Sequence, residues 1–217
     1  MEKRALIKKG AEAELYGGEW LGYDVVFKRR VSKGYRNPDL DSMIRSSRTS
    51  LESKLLGEAK RLGVPAPVVY FVDRQSHEIV MSRIQGVPVK NALAGMGGGS
   101  VGALFERIGE QVGRLHAGGV VHGDLTTSNM IICGGDVFFI DFGLGEYTRE
   151  LEARGVDIHL MRRTLESSHH SCAKAAYDAF IKGYCRTMGS AAAEVLARAA
   201  EVRRRGRGSG AFIGSLS

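Results

Sequence analysis

Residues 122–143 place two carboxylates and one amide at fixed positions around a pair of apolar runs. Asp124 and Asn129 precede the first run, and Asp141 follows the second. Residues 134–136 between the runs are Gly-Gly-Asp, which predicts a tight hairpin turn. Pairing of the two runs would bring Asn129 and Asp141 to the same end of the hairpin. This stretch therefore predicts that three oxygen-bearing side chains converge beside a short β-hairpin.

These side chains suit phosphoryl transfer, which needs neutralised phosphates and an aligned acceptor more than covalent chemistry from the protein. Asp124 is the candidate catalytic residue, because its carboxylate can accept or orient the acceptor's proton. Asn129 and Asp141 are the candidate metal ligands, since Mg²⁺ prefers oxygen ligands. The spacing matches the protein-kinase pattern H-R-D-L-x-x-x-N followed by D-F-G. Gly123 stands in place of the Arg, so we expect no activation by loop phosphorylation.

Lys28 ends an apolar strand, as the nucleotide-binding Lys does in the kinase V-A-I-K pattern. The alternative is an ordinary basic strand end, because Arg29 and Arg30 follow directly. Glu52 lies on a helical pattern and is the carboxylate best placed to pair with Lys28. Glu58, about one turn further along the same helix, is its competitor.

The segment at 10–13 takes the place of a glycine-rich phosphate loop. It consists of Gly10, Ala11, Glu12 and Ala13, with one glycine rather than three, so G-x-G-x-x-G is not matched. We still predict that these four residues bind the nucleotide, because Ala13 lets backbone amides come close to phosphates. An ordinary hairpin tip is the alternative.

Strand patterns fill residues 5–30, with a turn expected at Gly17 and Gly18, and recur at 68–81. A helical pattern separates these two regions, and helical patterns dominate the second half of the chain, the last of them at 191–202. The sequence thus predicts an α+β fold of the minimal bilobal protein-kinase type, with a truncated activation segment.

We place the nucleotide-binding N-lobe at 1–84, the C-lobe at 85–202 and a basic flexible tail at 203–217. Ser82 and Ile84 lie in the link between the lobes, whose backbone is expected to bind adenine.

Two residues of the second lobe are expected to support the catalytic loop. His122 is predicted to hold the loop in place rather than to take part in chemistry. Asp157 is predicted to anchor the loop's backbone from below, and a simple helix N-cap is the alternative.

Charge and cysteine usage restrict the compartment and the partners. The formal charge is +7, from 31 Lys and Arg against 24 Asp and Glu, and part of the excess lies at the C-terminus. The three cysteines show no paired spacing, which favours a reducing cytosol. No stretch approaches the roughly 20 apolar residues of a membrane span, and the first residues do not resemble a secretory signal. We therefore expect a cytoplasmic protein.

The basic tail contains Arg203, Arg204, Arg205 and Arg207 beside glycines. A segment of this kind cannot bury itself and is predicted to stay mobile. It is expected to bind a phosphate backbone, while a solubilising tail at a helix end is the alternative. The choice of Arg at all four positions favours the anionic partner.

Several of these motifs resemble the small atypical kinase of the KEOPS complex, the PRPK-type family, over nearly the whole chain. The resemblance rests on Lys9–Ala13, Phe27–Arg29, Tyr35–Asp41, Arg48–Thr49, Gly63–Pro67, His122–Asn129, Asp141–Leu144 and the Arg-Gly-Arg tail. The Tyr-Arg-x-Pro-x-Leu-Asp segment and the tail are specific, whereas His-Gly-Asp-Leu is shared with other phosphotransferases. Ser82 stands where the family is expected to have Glu, which leaves open how the link is braced. The compact sequence resembles archaeal members.

The resemblance implies a bilobal fold, ATP and Mg²⁺ as cofactors, and weak serine/threonine kinase activity on the protein itself or on others. It also implies an ATPase that supports threonylcarbamoyladenosine modification of transfer RNA. The implied partners are the complex's threonylcarbamoyl-transferase subunit and a small regulatory subunit, with transfer RNA bound through the complex.

Two other functions are weighed against this one. Aminoglycoside- or choline-type phosphotransferases also use His-Gly-Asp-Leu, but the second lobe offers little chain for a small-molecule pocket. A non-catalytic module could bridge transfer RNA and partner subunits. Such a module would not need Lys28, Asp124, Asn129 and Asp141 together, so catalysis is favoured.

Overall fold

The computed structural model describes residues 4–208, and for residues 206–208 only the backbone. The strands are β1 (Ala5–Lys9), β2 (Ala13–Trp20), β3 (Tyr23–Arg30), β4 (Val69–Asp73), β5 (Glu78–Ser82), β6 (Val87–Pro88), β7 (Val120–Val121), β8 (Met130–Cys133), β9 (Asp136–Phe139) and β10 (Glu146–Tyr147). The helices are α1 (Pro38–Arg61), α2 (Val89–Ala92), α3 (Gly98–Ala117), α4 (Leu151–Ser168), α5 (Ala173–Met188) and α6 (Ala192–Gly208).

The first lobe is an antiparallel sheet with one long helix. Its strand order is β1-β2-β3-β5-β4, and α1 packs against it. The helix begins where Asn37 caps it, because the Asn37 side-chain oxygen accepts hydrogen bonds from the backbone N–H groups of Asp39 and Leu40. Pro38 follows the cap, at a position where its missing N–H costs nothing. The predicted pair of strands at 68–81 is confirmed as β4 and β5.

The turn expected at Gly17 and Gly18 is wrong. Strand β2 runs straight through both glycines, which pair with Val26 and Val25 of β3. The chain instead turns at Leu21 and Gly22, whose φ angles of 51° and 82° are those of a primed hairpin turn. Gly17 serves a close approach, since an added Cβ would lie 3.0 Å from Ile7 Cδ1.

The second lobe is mostly helical and is built on the contact between α3 and α5. Glycines let the two helices approach closely: a Cβ on Gly183 would lie 1.9 Å from the Glu106 carbonyl oxygen. Phe105, Ile108 and Phe180 are fully buried in the core that these helices share with the catalytic loop. A sheet lobe joined to a helical lobe confirms the predicted α+β bilobal class.

Two helices of the C-lobe, α4 and α6, differ from the predicted bounds. Helix α4 begins at Leu151, six residues before Asp157, which the N-cap alternative would have placed at the helix start. Helix α6 continues past Val202 to Gly208, although the basic segment from 203 was expected to be mobile. Ion pairs explain the extension, because Arg203 and Arg205 reach Glu166 and Glu152 of α4 at 3.3 and 2.9 Å. The Arg207 side chain and residues 209–217 lie outside the described part of the chain.

Between residues 4 and 208, no helix combines the length and the apolar character that crossing a membrane requires. All three cysteines are free thiols.

Candidate active site

The β8–β9 hairpin brings the predicted metal ligands together. Strands β8 and β9 pair as expected, and Gly134 and Gly135 form the turn with φ angles of 59° and 85°. The backbone N–H of Ile140 donates to the Asn129 carbonyl oxygen at 2.9 Å, which joins the two ends of the hairpin. Asp141 follows at once, in a left-handed conformation with φ of 63°.

Asn129 and Asp124 are held to each other. The Asn129 side-chain amide donates to the Asp124 carbonyl oxygen at 2.9 Å and to Asp124 Oδ2 at 2.8 Å. Because the amide nitrogen of Asn129 is used in this way, its amide oxygen is the atom that remains for a metal ion. The same contact fixes the orientation of the Asp124 carboxylate.

Lys28 joins the two lobes by ion pairs. Its ammonium donates to Glu52 Oε1 at 2.5 Å and to Asp141 Oδ1 at 2.6 Å, so the predicted pairing of Lys28 with Glu52 is confirmed. The backbone N–H of Gly143 also donates to Asp141 Oδ1, at 3.2 Å. Glu58, the competitor, instead pairs with Arg61 near the helix end.

The pKa values of Lys28 and Asp141 move in opposite directions from their usual values. Burial by itself lowers the pKa of Lys28, but the carboxylates of Glu52 and Asp141 outweigh it and raise the pKa above its usual range. Burial by itself raises the pKa of Asp141, but the Lys28 ammonium and the Gly143 N–H outweigh it and lower the pKa. Both groups are therefore charged at neutral pH.

Arg30 is a site residue that the sequence analysis missed. Its guanidinium Nη2 donates to Glu52 Oε2 at 2.6 Å, and only 5% of its side chain is exposed. Its Nε is buried without a hydrogen-bond partner. The signal was present in the alternation of the strand, since Lys28 and Arg30 are two residues apart and share one face of β3.

Two adjoining cavities meet at Lys28 and Asp141. The larger, of about 450 Å³, is lined mainly by apolar residues of both lobes and by the link residues Ser82 and Ile84. The smaller, of about 220 Å³, lies under the loop at 10–13. Its lining comprises the four predicted loop residues with Lys28, Arg30, Asp124 and Asp141, among others. An apolar compartment next to a charged one suits a nucleotide base and its phosphates.

The bracing of the link, which the sequence left open at Ser82, is local. The Ser82 hydroxyl oxygen accepts from the Val68 N–H at 2.9 Å, and the Ser82 N–H donates to the Val68 carbonyl at 2.8 Å. These bonds fix the end of β5 to the residue before β4, without a carboxylate.

Asp157 supports the catalytic loop, as predicted. Its carboxylate accepts from the backbone N–H of His122 at 2.7 Å and of Gly123 at 2.9 Å. The N-cap alternative is wrong, because Asp157 lies inside α4. His116 contacts the same carboxylate through its Nε2, at 3.3 Å. The other ring nitrogen of His116, Nδ1, lies 2.9 Å from the Tyr184 hydroxyl.

His122 is fully buried below Asp124, and burial lowers the pKa of its imidazole, so the ring is neutral. Its Nδ1 accepts from the Asp124 N–H at 3.3 Å. Its Nε2 therefore carries the proton and donates to the Ile140 carbonyl at 3.2 Å. One ring thus links the catalytic loop to Ile140, the residue directly before Asp141.

Gly123 is required by packing and backbone conformation. Its φ is +78°, and an added Cβ would lie 2.1 Å from the Leu144 carbonyl oxygen. The chain after Asp141 therefore folds directly against the catalytic loop. An Arg at this position, as most protein kinases have, would not fit.

The predicted tail residues whose side chains the structure describes do not line the active-site cavities at Lys28 and Asp141. Arg203 and Arg204 line a separate cavity of the helical lobe, among α4, α5 and α6.

Comparison with known proteins adds the following relationships. Residues 24–154 match the RIO domain. The chain is 42% identical over 202 residues to a probable bifunctional tRNA threonylcarbamoyladenosine biosynthesis protein of Methanothermobacter thermautotrophicus, covering 93% of this chain and 36% of the relative. It is 41% identical over 209 residues to KEOPS complex subunit Bud32 of Pyrococcus abyssi, covering 93% and 95%. The chain thus spans about a third of the bifunctional relative and nearly all of the Pyrococcus one.

Proposed function

Since the chain belongs to the RIO domain family and is a relative of KEOPS subunit Bud32, we propose that it is an atypical serine/threonine protein kinase and ATPase that uses Mg²⁺ and ATP. The observation that carries this proposal is the ion-paired centre in which Lys28 bridges Glu52 and Asp141. It lies beside the Asp124–Asn129 pair and at the junction of two cavities.

The residues present fit both cofactors. Asp141 and the Asn129 amide oxygen offer two oxygen ligands, and Mg²⁺ commonly takes only one or two from protein when phosphates supply others. Residues 4–208 contain no cluster of three or more His, Cys, Asp or Glu that could hold a metal ion. The apolar cavity at Ser82 and Ile84 has the size and polarity for adenine.

The chain's own residues divide the work as follows. Lys28 and the loop at 10–13 bind the phosphates, while Glu52 and Arg30 keep Lys28 in place. Bound Mg²⁺ would neutralise phosphate charge. Asp124, fixed by Asn129 and carried on a loop anchored to Asp157, orients a hydroxyl or water and takes its proton.

We propose that the reaction serves threonylcarbamoyladenosine modification of transfer RNA in the cytoplasm. Relatives carry names for this modification or for a KEOPS subunit. The proposed partners are the threonylcarbamoyl-transferase subunit, a small regulatory subunit and transfer RNA, with Arg203, Arg204, Arg205 and Arg207 on the RNA side. A small-molecule phosphotransferase is not favoured, because relatives at 41–42% identity are named for tRNA threonylcarbamoyladenosine biosynthesis or as a KEOPS complex subunit.

The test is turnover of labelled ATP by the full chain, with and without Mg²⁺, transfer RNA and the transferase subunit. We expect Mg²⁺-dependent turnover that rises when RNA and the transferase are added together. Absence of turnover in every mixture would contradict the proposal. Phosphorylation of choline or an aminoglycoside that is faster than both protein phosphorylation and ATP hydrolysis would also contradict it.

A further inference from the structure

The cavity among α4, α5 and α6 is distinct from the active-site cleft. It measures about 380 Å³, and none of its lining residues lines either cavity at Lys28. Its apolar wall is formed by Ile181, Leu196, Ala199 and Ala200. The volume and this wall suit a flat organic group rather than a lone ion.

The edge of the cavity is cationic. Arg162, Arg203 and Arg204 line it, and no carboxylate does so within residues 4–208. Glu166 lies close by and bonds Arg162 at 2.8 Å and Arg203 at 3.3 Å. Arg204 is exposed and forms no ion pair with the described part of the chain. Three guanidinium groups against one neighbouring carboxylate leave a net positive charge for an anionic ligand.

An aromatic ring and a histidine with an unpaired ring nitrogen, Tyr177 and His159, both line the cavity. The Arg162 guanidinium lies over the face of the Tyr177 ring, 5.0 Å from its centre, and the two together form a flat stacking surface. His159 Nδ1 is buried and has no hydrogen-bond partner. Burial, followed by the charges of Arg163 and Arg203, lowers the pKa of His159, so its ring is neutral at pH 7. A neutral imidazole can donate or accept one hydrogen bond at a base edge.

We propose that this cavity holds one unpaired nucleotide of an RNA strand, with its base at Tyr177 and His159 and its phosphates at Arg203 and Arg204. Proteins hold unpaired bases by stacking on aromatic rings or guanidinium planes, next to cations that bind the backbone. An acidic peptide would satisfy the arginines but would leave the flat ring and the unpaired imidazole nitrogen unused. The inference deepens the proposed role in transfer RNA modification and rests on it for the identity of the RNA.

The test measures binding of a short labelled single-stranded RNA to the full chain by fluorescence anisotropy over a range of salt concentrations. Tyr177→Leu should weaken binding roughly 5- to 150-fold without changing the salt slope, because it removes stacking and no charge. Arg203→Gln should reduce the log–log slope by about 0.7, the value for one phosphate contact on a single strand. Arg198→Gln is the matched control on α6, since Arg198 bonds Glu152 and Glu201 and does not line the cavity.

Two results would overturn the nucleotide site: unchanged RNA affinity in Tyr177→Leu, or a loss in Arg198→Gln equal to that in Arg203→Gln. Competition by polyglutamate as strong as by RNA of equal charge would assign the surface to acidic proteins instead. If Tyr177→Leu does not fold, photocrosslinking of 4-thiouridine RNA to the unaltered protein decides. Crosslinks should map to α4, α5 or α6, and crosslinks only to the sheet lobe would contradict the proposal.

Turnover of ATP by the unaltered protein is measured on the same preparation. Loss of RNA binding in Tyr177→Leu, with no ATP turnover in the unaltered protein, would support the nucleotide site and overturn the kinase proposal. ATP turnover by the unaltered protein, together with equal RNA binding by the unaltered protein and Tyr177→Leu, would support the kinase proposal and overturn the nucleotide site.

Discussion

The cleft and the α4–α6 surface use the same kinds of ion pair in opposite settings. In the cleft, the side chains of Lys28, Arg30 and Glu52 are 6%, 5% and 1% exposed. On α6, Arg205 is 61% exposed and bonds Glu152 at the protein surface. Burial raises the cost of separating charges, whereas solvent screens the surface pair. Cleft cations are therefore fixed parts of the site, and surface cations remain exchangeable with an anionic partner.

The contrast explains why one helix end can be ordered and still bind a ligand. Ion pairs worth about 0–1 kcal/mol each at a surface are enough to orient Arg203 and Arg205 towards α4. A polyanion can replace the carboxylate partners at low cost. The equivalent exchange at Glu52 would leave buried cations without a counter-ion.

The largest effect on folding is expected at Glu52. Glu52→Gln removes the one carboxylate that bonds Arg30 within the described residues 4–208, and breaking a buried pair from one side costs about 3–5 kcal/mol. Urea unfolding should show this loss. Glu58→Gln on the same helix is the matched control, with an expected loss of at most about 1 kcal/mol because its pair with Arg61 is at the surface. Equal losses in the two variants would erase the distinction between cleft and surface.

Asp141→Ala should lower Mg²⁺-dependent ATP turnover about 100- to 1000-fold, the usual result of losing one preorganised electrostatic group. The fold should persist, because the Asp141 side chain is 49% exposed and Lys28 keeps its ion pair with Glu52. Asp136→Ala is the control, since that exposed carboxylate lies in the same hairpin outside the cleft. Turnover of Asp141→Ala within a few-fold of the unaltered protein, with circular dichroism unchanged, would contradict the metal-ligand role.

Arg30→Gln should have an intermediate effect. It removes one charged hydrogen bond to Glu52, worth about 1.5–3 kcal/mol when buried, and leaves Lys28 less firmly held. We expect lower stability and a higher KM for ATP, with a smaller change in kcat. Steady-state kinetics together with urea unfolding measure both. An unchanged KM would make Arg30 a purely structural residue.

The smallest effect is expected for Arg198→Gln on α6. Arg198 bonds Glu201 at 2.9 Å and Glu152 at 3.5 Å, and 35% of its side chain is exposed. The loss of stability should not exceed about 1 kcal/mol, and basal ATP turnover should stay constant. A loss of unfolding free energy as large as that of Arg30→Gln would show that the surface ion pairs stabilise the fold as much as the buried ones do.

Local spacing was enough to predict the hairpin, the Asn129–Asp141 convergence and the Lys28–Glu52 pair. Each depends on neighbours in the sequence or on strand alternation. The support from Asp157 was also predictable, although its place inside α4 was not.

Tertiary contacts decided what the sequence could not show. Gly17 resembled a turn residue, but its smallness serves contact with Ile7 of β1. Gly123 was interpreted as a missing Arg, while the structure shows that the Leu144 carbonyl occupies the space a side chain would need. The extension of α6 depends on Glu152 and Glu166, which are far away in sequence.

The most direct test of the proposed centre is to separate nucleotide binding from chemistry at Asp124. Asp124→Asn keeps the shape of the side chain but removes its capacity to accept a proton. Calorimetric titration with Mg²⁺ and ATP should give an affinity close to that of the unaltered protein, while single-turnover phosphoryl transfer falls steeply. If affinity falls as far as the transfer rate does, or if the rate is retained, Asp124 is not the catalytic group.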